Sequence, residues 1–285
     1  MEYSEQALQE IEVQNVNDRL MIVELKKQDN TIIQQENVQK HSVLFIHGMA
    51  ESGQYYLEKI QRGEFRLLDN VRYLIPSGTV QYVSRINKEV MAWYDIKALD
   101  PEDPDRYNME QMDETIQYLN DILTEEAKSQ YDGDYSRIFV SGFSQGGCLT
   151  YVLGLLTKNQ YAGLIPMGSI CIPQFFTRLQ EQSTDTDSQD SQTNEKLYHL
   201  ELKSKTLPIL HYHGGQDPLF LVDRMKANLQ RAIVDRNWKQ FEIVVDNELG
   251  HDTNKGAFDK LSEFALKVIK EKESKDLEQN DQSKL

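Results

Sequence analysis

Apolar residues in this chain fall into two kinds of run, and their alternation leaves few folds open. The short runs include stretches apolar at consecutive positions, Val43-Leu44-Phe45-Ile46 and Ile243-Val244-Val245. A strand wetted on one face alternates apolar with polar residues, so a continuously apolar strand is covered on both faces, as in a parallel sheet. Strands are expected at Ile11–Val16, Leu20–Leu25, Val43–His47, Val71–Ile75, Ile138–Ser141, Ala162–Met167, Pro208–His213 and Phe241–Val245. The longer runs have helical spacing. The clearest sets Met109, Met112, Ile116, Leu119 and Leu123 at intervals of 3, 4, 3 and 4, one stripe on a helix. Asn108 with Gln111 three residues on resembles a capping box at its start. Further helices are expected over Gln145–Thr157, Leu219–Ile233 and Phe258–Val268. This order predicts an α/β fold, a mostly parallel twisted sheet with helices on both faces and right-handed crossovers. The first two runs, Leu20–Leu25 in particular, are candidates for an antiparallel edge.

Length and charge narrow the function classes. A chain of 285 residues suits one large α/β domain, expected over residues 1–270. With 31 basic and 46 acidic side chains the net charge is 31 − 46 = −15, which argues against nucleic acid, whose phosphates need a basic face. The charge does not favour an anionic membrane surface either, though transient contact with a membrane stays open, as does the oligomeric state. The two cysteines, Cys148 and Cys171, lie in apolar runs and read as buried thiols of a reducing compartment. Met1-Glu2-Tyr3-Ser4-Glu5 has no apolar leader core, and the expectation is a cytoplasmic protein. Residues 180–196 hold no large apolar side chain and read as a solvated, mobile insertion; residues 271–285 read as a frayed, disordered acidic tail.

Ligands of such sheets bind at the carboxyl ends of the strands. There the Ile138–Ser141 strand runs into Gly142-Phe143-Ser144-Gln145-Gly146-Gly147, a G-x-S-x-G at a strand-to-helix junction. Side chains two residues either side of the serine would collide in so sharp a turn, and Gly142 and Gly146 remove them. A plain glycine-rich turn has the same look, so the context decides. A serine hydroxyl is a weak nucleophile and needs a base. Of the six histidines, His251 lies in the loop after Phe241–Val245, at the same end of the sheet as Ser144. An imidazole base needs a carboxylate to fix its tautomer, and Asp217, just after Pro208–His213, is the best placed. The gaps are 217 − 144 = 73 and 251 − 217 = 34, in the chain order Ser, Asp, His of α/β-hydrolases. An oxyanion needs two donors; the backbone N–H of Gln145 and that of Met49, in Ile46-His47-Gly48-Met49-Ala50, are the candidates.

Other readings compete at several positions. His47 reads as a structural residue tying down the Met49 loop. His211 and His213 share one strand face with Asp217 nearby, but no further cluster completes a metal shell. Cys148, one turn into a helix, reads as a packing residue. Trp93 and Tyr94 are candidates to line a substrate channel, and equally to pack a long loop.

The stretches VLFIHGMAESG (43–53), IPSGTVQYVSRINKEVMAWYDI (75–96), RIFVSGFSQGGCLTYVLGLL (137–156), PILHYHGGQDPL (208–219) and LGHD (249–252) resemble the acyl-protein thioesterase/lysophospholipase branch of the α/β-hydrolases, the phospholipase/carboxylesterase family. The resemblance implies an α/β-hydrolase fold, a triad of Ser144, Asp217 and His251, and an oxyanion hole of the Met49 and Gln145 amides. It further implies a lidless esterase, without metal or cofactor, acting on fatty-acylated protein or lipid esters. The expected activity is cleavage of fatty acyl thioesters, protein S-depalmitoylation. The alternatives are a lysophospholipase or broad carboxylesterase on the same triad, and a non-catalytic binding protein on a hydrolase frame. One departure is plain: the family's usual HG-x-G-D is here His47-Gly48-Met49-Ala50-Glu51, with alanine at the second glycine.

Overall fold

A computed structural model of the chain describes residues 10–26, 40–98, 103, 105–175, 206–233 and 238–282. The polar run at 180–196 and His199 lie outside the described residues. The runs apolar at consecutive positions form the middle of an eight-stranded sheet in the order β1-β2-β4-β3-β7-β8-β9-β10. These strands are β1 (Ile11–Asn17), β2 (Leu20–Leu25), β3 (His41–Ile46), β4 (Val71–Pro76), β7 (Ile138–Phe143), β8 (Gly163–Met167), β9 (Ile209–Gly214) and β10 (Phe241–Asp246). β1 and β2 are antiparallel, and β2 is antiparallel to β4; every later pairing is parallel.

Alternate residues of one strand serve opposite layers, which is why both must be apolar. Leu44 and Ile46 of β3 join the core beneath α2 (Met109–Tyr131), α3 (Gln145–Leu156) and α4 (Val222–Ala232). Val43 and Phe45 join the core beneath α1 (Gly53–Gln61) and α5 (Lys255–Gln282). On that second side Phe65 stacks on Phe258 at 4.2 Å, with Phe45 edge-on to Phe65 at 5.4 Å.

Three local outcomes differ from the sequence reading. A two-stranded antiparallel hairpin, β5 (Thr79–Val83) with β6 (Lys88–Ala92), stands outside the main sheet, where no strand was expected. Its alternation is weak because both faces carry polar residues. α4 starts at Val222 rather than Leu219, because the Asp217 carboxylate takes the Leu219 and Phe220 N–H groups at 2.8 and 2.9 Å into a turn. α5 runs to Gln282, so residues 271–282 continue a helix where composition predicts a frayed tail. Lys272 hydrogen-bonds the Ser136 carbonyl at 3.2 Å, and the segment is rich in Glu, Lys and Gln, which tolerate helix well. Among the described residues no helix is long and apolar enough to cross a membrane.

Candidate active site

The carboxyl ends of β3, β7, β9 and β10 meet around Ser144. The serine is held at φ 52°, ψ −113°, a conformation that costs about 1–3 kcal/mol and persists only where the surroundings enforce it. Close backbone contact is what enforces it. A Cβ on Gly142 would lie 2.6 Å from the Gly146 carbonyl carbon, and one on Gly146 would lie 2.0 Å from the Ile46 carbonyl oxygen. These two positions admit no side chain.

Ser144, Asp217 and His251, 107 and 34 residues apart by the two pairings, come within hydrogen-bonding reach. The Ser144 hydroxyl lies 2.8 Å from His251 Nε2, and His251 Nδ1 lies 2.7 Å from Asp217 Oδ2. An ionised carboxylate can only accept, so Nδ1 carries the proton and Nε2 is the bare acceptor for the serine O–H. Burial alone would raise the Asp217 pKa; the His251 hydrogen bond and charge and the Phe220 and Leu219 N–H groups outweigh it, and the net shift is downward. The Phe143 and Phe220 rings flank the imidazole at 4.9 and 5.7 Å. The Asp217 and His251 loops interlock through Gln216 N–H to the Leu249 carbonyl, 2.9 Å. Two other acids nearby are engaged elsewhere: Asp246 accepts from Tyr212 Oη at 2.9 Å, and Asp252 from its neighbour Thr253 N–H.

The loop after β3 wraps over the serine. A Cβ on Gly48 would lie 3.3 Å from Ser144 Cβ, and Met49 and Gln145 line the same cavity as the serine. The loop is closed by Glu51, whose Oε2 accepts from Gly48 N–H at 2.7 Å and Tyr56 O–H at 2.8 Å. Ala50, where the resembling family has glycine, sits at φ 65°. That left-handed conformation costs an alanine about 1–2 kcal/mol, and its N–H bond to the Met91 carbonyl, 2.8 Å, helps hold it there.

His47 ties this loop to the hairpin. Its Nδ1–H donates to the Gly48 carbonyl at 2.6 Å, and Nε2 accepts from Gly78 N–H at 2.9 Å. The bond accepted at Nε2 requires the neutral ring, and burial pushes its pKa down to about 4. Trp93 is 2% exposed; its indole packs, tilted, against His47 at 4.7 Å and donates to the His47 carbonyl at 2.8 Å. Of the two aromatic candidates for a channel, Tyr94 lines the cavity beside Ser144, whereas Trp93 is not among the residues that line it. Cys148 also lines it, but burial raises its thiol pKa to about 11, which keeps it protonated. His211 and His213 belong to a buried chain: Tyr151 O–H to His211 Nδ1 (2.7 Å), His211 to His213 (3.2 Å), and His213 Nε2–H to the Phe220 carbonyl (2.7 Å).

Two contributions escape the motif reading. The Gln145 side chain accepts from Trp93 N–H at 3.1 Å and donates to the Tyr94 carbonyl at 2.9 Å, clamping a strap, residues 79–98, over the sharp turn at Ser144. Asp95 accepts from the Ser84 N–H and O–H at 2.7 and 2.6 Å, while its own N–H donates to Gln111 Oε1 at 2.7 Å. Gln111 therefore serves the strap rather than completing a reciprocal cap with Asn108. No local pattern announces contacts of this kind.

Residues 27–269 match the profile of the phospholipase/carboxylesterase family. The chain belongs to that family. By family it is a hydrolase of the esterase and thioesterase kind, with the α/β-hydrolase fold that the sheet order displays. Neurospora crassa acyl-protein thioesterase 1 is 25% identical over 231 residues, 78% of this chain and 84% of that protein. Cryptococcus neoformans acyl-protein thioesterase 1 is 27% identical over 181 residues, 62% of this chain and 66% of that protein, just under two thirds of its length. Two solved structures share the fold: Arabidopsis thaliana SOBER1, TM-score 0.62 at 20% identity over 81% of this chain and 99% of that one, and Zea mays acyl-protein thioesterase 2, TM-score 0.60 at 17% identity over 88% and 99%.

Proposed function

We propose that the protein is a serine hydrolase that cleaves acyl thioesters or esters through an acyl-enzyme at Ser144. The continuous hydrogen-bond chain from Asp217 through His251 to Ser144 carries this reading. Ser144 Oγ attacks the acyl carbonyl as His251 Nε2 takes its proton. Asp217 holds the imidazole in the required tautomer and stabilises the cation it becomes. The Met49 and Gln145 amides accept the charge of the tetrahedral oxyanion. His251 then gives its proton to the departing thiol or alcohol, and water activated by the same ring releases the acid. None of these steps calls on a metal or cofactor.

The relatives' names make acyl-protein thioesters the first substrate class to assay, with an S-palmitoylated protein as the fatty-acyl example. The cavity beside Ser144, about 180 Å³, favours a second reading, a broad esterase of smaller carboxylic esters on the same triad. Two buried thiols without a disulfide fit a cytoplasmic setting.

A fluorophosphonate probe tests the chemistry. It should label the wild-type protein and fail on Ser144→Ala, with turnover falling at least about 1000-fold in that variant and by less in Asp217→Ala. An unlabelled wild-type protein would mark a silent binding frame. Parallel assays on an acyl-cysteine peptide, lysophosphatidylcholine and p-nitrophenyl esters rank the substrates.

A further inference from the structure

The two amides read as the oxyanion hole, those of Met49 and Gln145, sit on different elements, and a hole works only if both donors are held where the charge develops. Gln145 opens α3, so its N–H has no partner within the helix and is fixed by the helix itself. Met49 lies in a loop and needs another means. Among the described residues, two consecutive peptides of that loop are bonded at three of their four polar ends. The His47 carbonyl accepts from the Trp93 indole N–H at 2.8 Å, and Gly48 N–H donates to Glu51 Oε2 at 2.7 Å. The Gly48 carbonyl accepts from His47 Nδ1–H at 2.6 Å and, at the longer distance of 3.3 Å, from Glu51 N–H. The fourth end is the Met49 N–H, and no group of the described residues takes it.

A trans peptide is planar, with its C=O and N–H on opposite sides, so whatever grips the Gly48 carbonyl sets the direction of the Met49 N–H. The grip comes from a ring with one possible tautomer. Gly78 N–H donates to His47 Nε2 at 2.9 Å, which leaves the proton on Nδ1, where it meets the Gly48 carbonyl. Gly78 is itself hemmed in: a Cβ there would lie 2.5 Å from the Ala92 carbonyl oxygen, so the β5–β6 hairpin closes on it. Burial of the ring, joined by the Arg19 charge, outweighs the Gly48 bond and keeps His47 neutral, so the donor stays at Nδ1 at neutral pH. The other grip closes a circuit. Trp93 N–H donates to Gln145 Oε1 at 3.1 Å, so the residue that carries one amide donor also anchors the indole holding the peptide before the other.

We propose that His47 is the positioning residue of the oxyanion hole: its Nδ1–H, by holding the Gly48 carbonyl, turns the Met49 N–H toward the oxyanion formed at Ser144. This rests on the serine-hydrolase reading of Ser144 and adds a role that the triad does not contain. The ring touches no reacting atom. Its effect is on how well the donor is aimed, and a donor aimed at the oxyanion is felt in the transition state and hardly in the bound ester.

The test separates the two ring nitrogens. In His47→Asn the amide N–H can stand where Nδ1–H stands and keep the Gly48 bond, while the Gly78 bond is lost. In His47→Gln the amide oxygen can stand where Nε2 stands and keep the Gly78 bond, while the Gly48 bond is lost. Each variant gives up one hydrogen bond, so a merely structural ring predicts similar kcat in both. With p-nitrophenyl butyrate as substrate, His47→Gln should lower kcat at least about tenfold with KM within about threefold, a part of the roughly 100- to 1000-fold that removing an oxyanion donor costs. His47→Asn should keep kcat within about threefold of the wild type. Urea midpoints verify that both variants are folded. Should His47→Gln fail to accumulate folded, Trp93→Phe carries the test: it frees the His47 carbonyl while leaving a ring beside it, and it should lower kcat at least about threefold at steady KM, an unchanged kcat overturning the proposal. If the two His47 variants lose kcat alike, if neither does, or if the loss falls on KM, the proposal is wrong while the hydrolase reading stands. If the wild type leaves both the ester and a fluorophosphonate probe unreacted, the hydrolase reading itself falls and this inference with it.

Discussion

The elbow around Ser144 and the strap of residues 79–98 that covers it solve opposite problems. The elbow is built from backbone against backbone: the spaces at Gly142 and Gly146 are closed by the Gly146 carbonyl carbon and the Ile46 carbonyl oxygen, at 2.6 and 2.0 Å from a notional Cβ. The strap is built from side chains reaching across the chain: Gln145 to Trp93 and Tyr94, Asp95 to Ser84, and Thr115 O–H to the Trp93 carbonyl at 2.6 Å. One region tolerates no added atom, while the other carries exposed side chains such as Val80, 68% exposed, on its outer face. His47 is the joint, bonded through its ring to Gly48 on one side and to Gly78 on the other.

The largest expected effect lies in the elbow. In Gly146→Ala the new methyl meets only backbone, the Ile46 carbonyl at 2.0 Å and the His47 carbonyl at 2.7 Å, and nothing flexible can move aside. The variant should lose more than about 4 kcal/mol in urea unfolding or fail to accumulate folded; a mild loss would mean that the elbow is less tightly closed than its contacts imply.

An intermediate effect is expected at the joint. The folded His47 pKa of about 4 lies below the unfolded value of 6.5. Between those values the unfolded chain binds a proton that the folded one refuses, so stability is fully present above pH 6.5 and is lost as pH falls toward 4. The loss from this group approaches about 3 kcal/mol. His211 and His213, also held low by burial, add slope of the same sign. Urea midpoints from pH 7 to 4.5 should therefore drop, and drop less steeply in His47→Gln. An equal slope in that variant would remove His47 from the account.

The smallest effect belongs to the outer face of the strap. Val80→Thr should change stability by no more than about 0.5 kcal/mol. A larger loss in thermal unfolding would show that this face is packed against something in solution.

The strand runs, the helical stripe of α2 and the order of Ser144, Asp217 and His251 could be read directly, because each follows from a local rule: period, turn sterics, or position after a strand. The β5–β6 hairpin could not, because Tyr82 and Val80 are exposed and its two faces lack the contrast that alternation needs. Trp93 is an instructive case. Its size fits a channel wall and a packed loop equally, and the His47 carbonyl, 46 residues away, together with the His47 ring places it in the packing.

The chain's own pattern of apolar runs and glycines dictated a parallel sheet with a serine in a sharp turn at its carboxyl edge, since steric exclusion and side-chain periodicity act between near neighbours. Folding in three dimensions chose the rest. Which indole locks a loop, which glutamine clamps the strap and which acid closes the Gly48 turn all turn on distances between residues that share no local rule, and those distances exist only once the layers have packed.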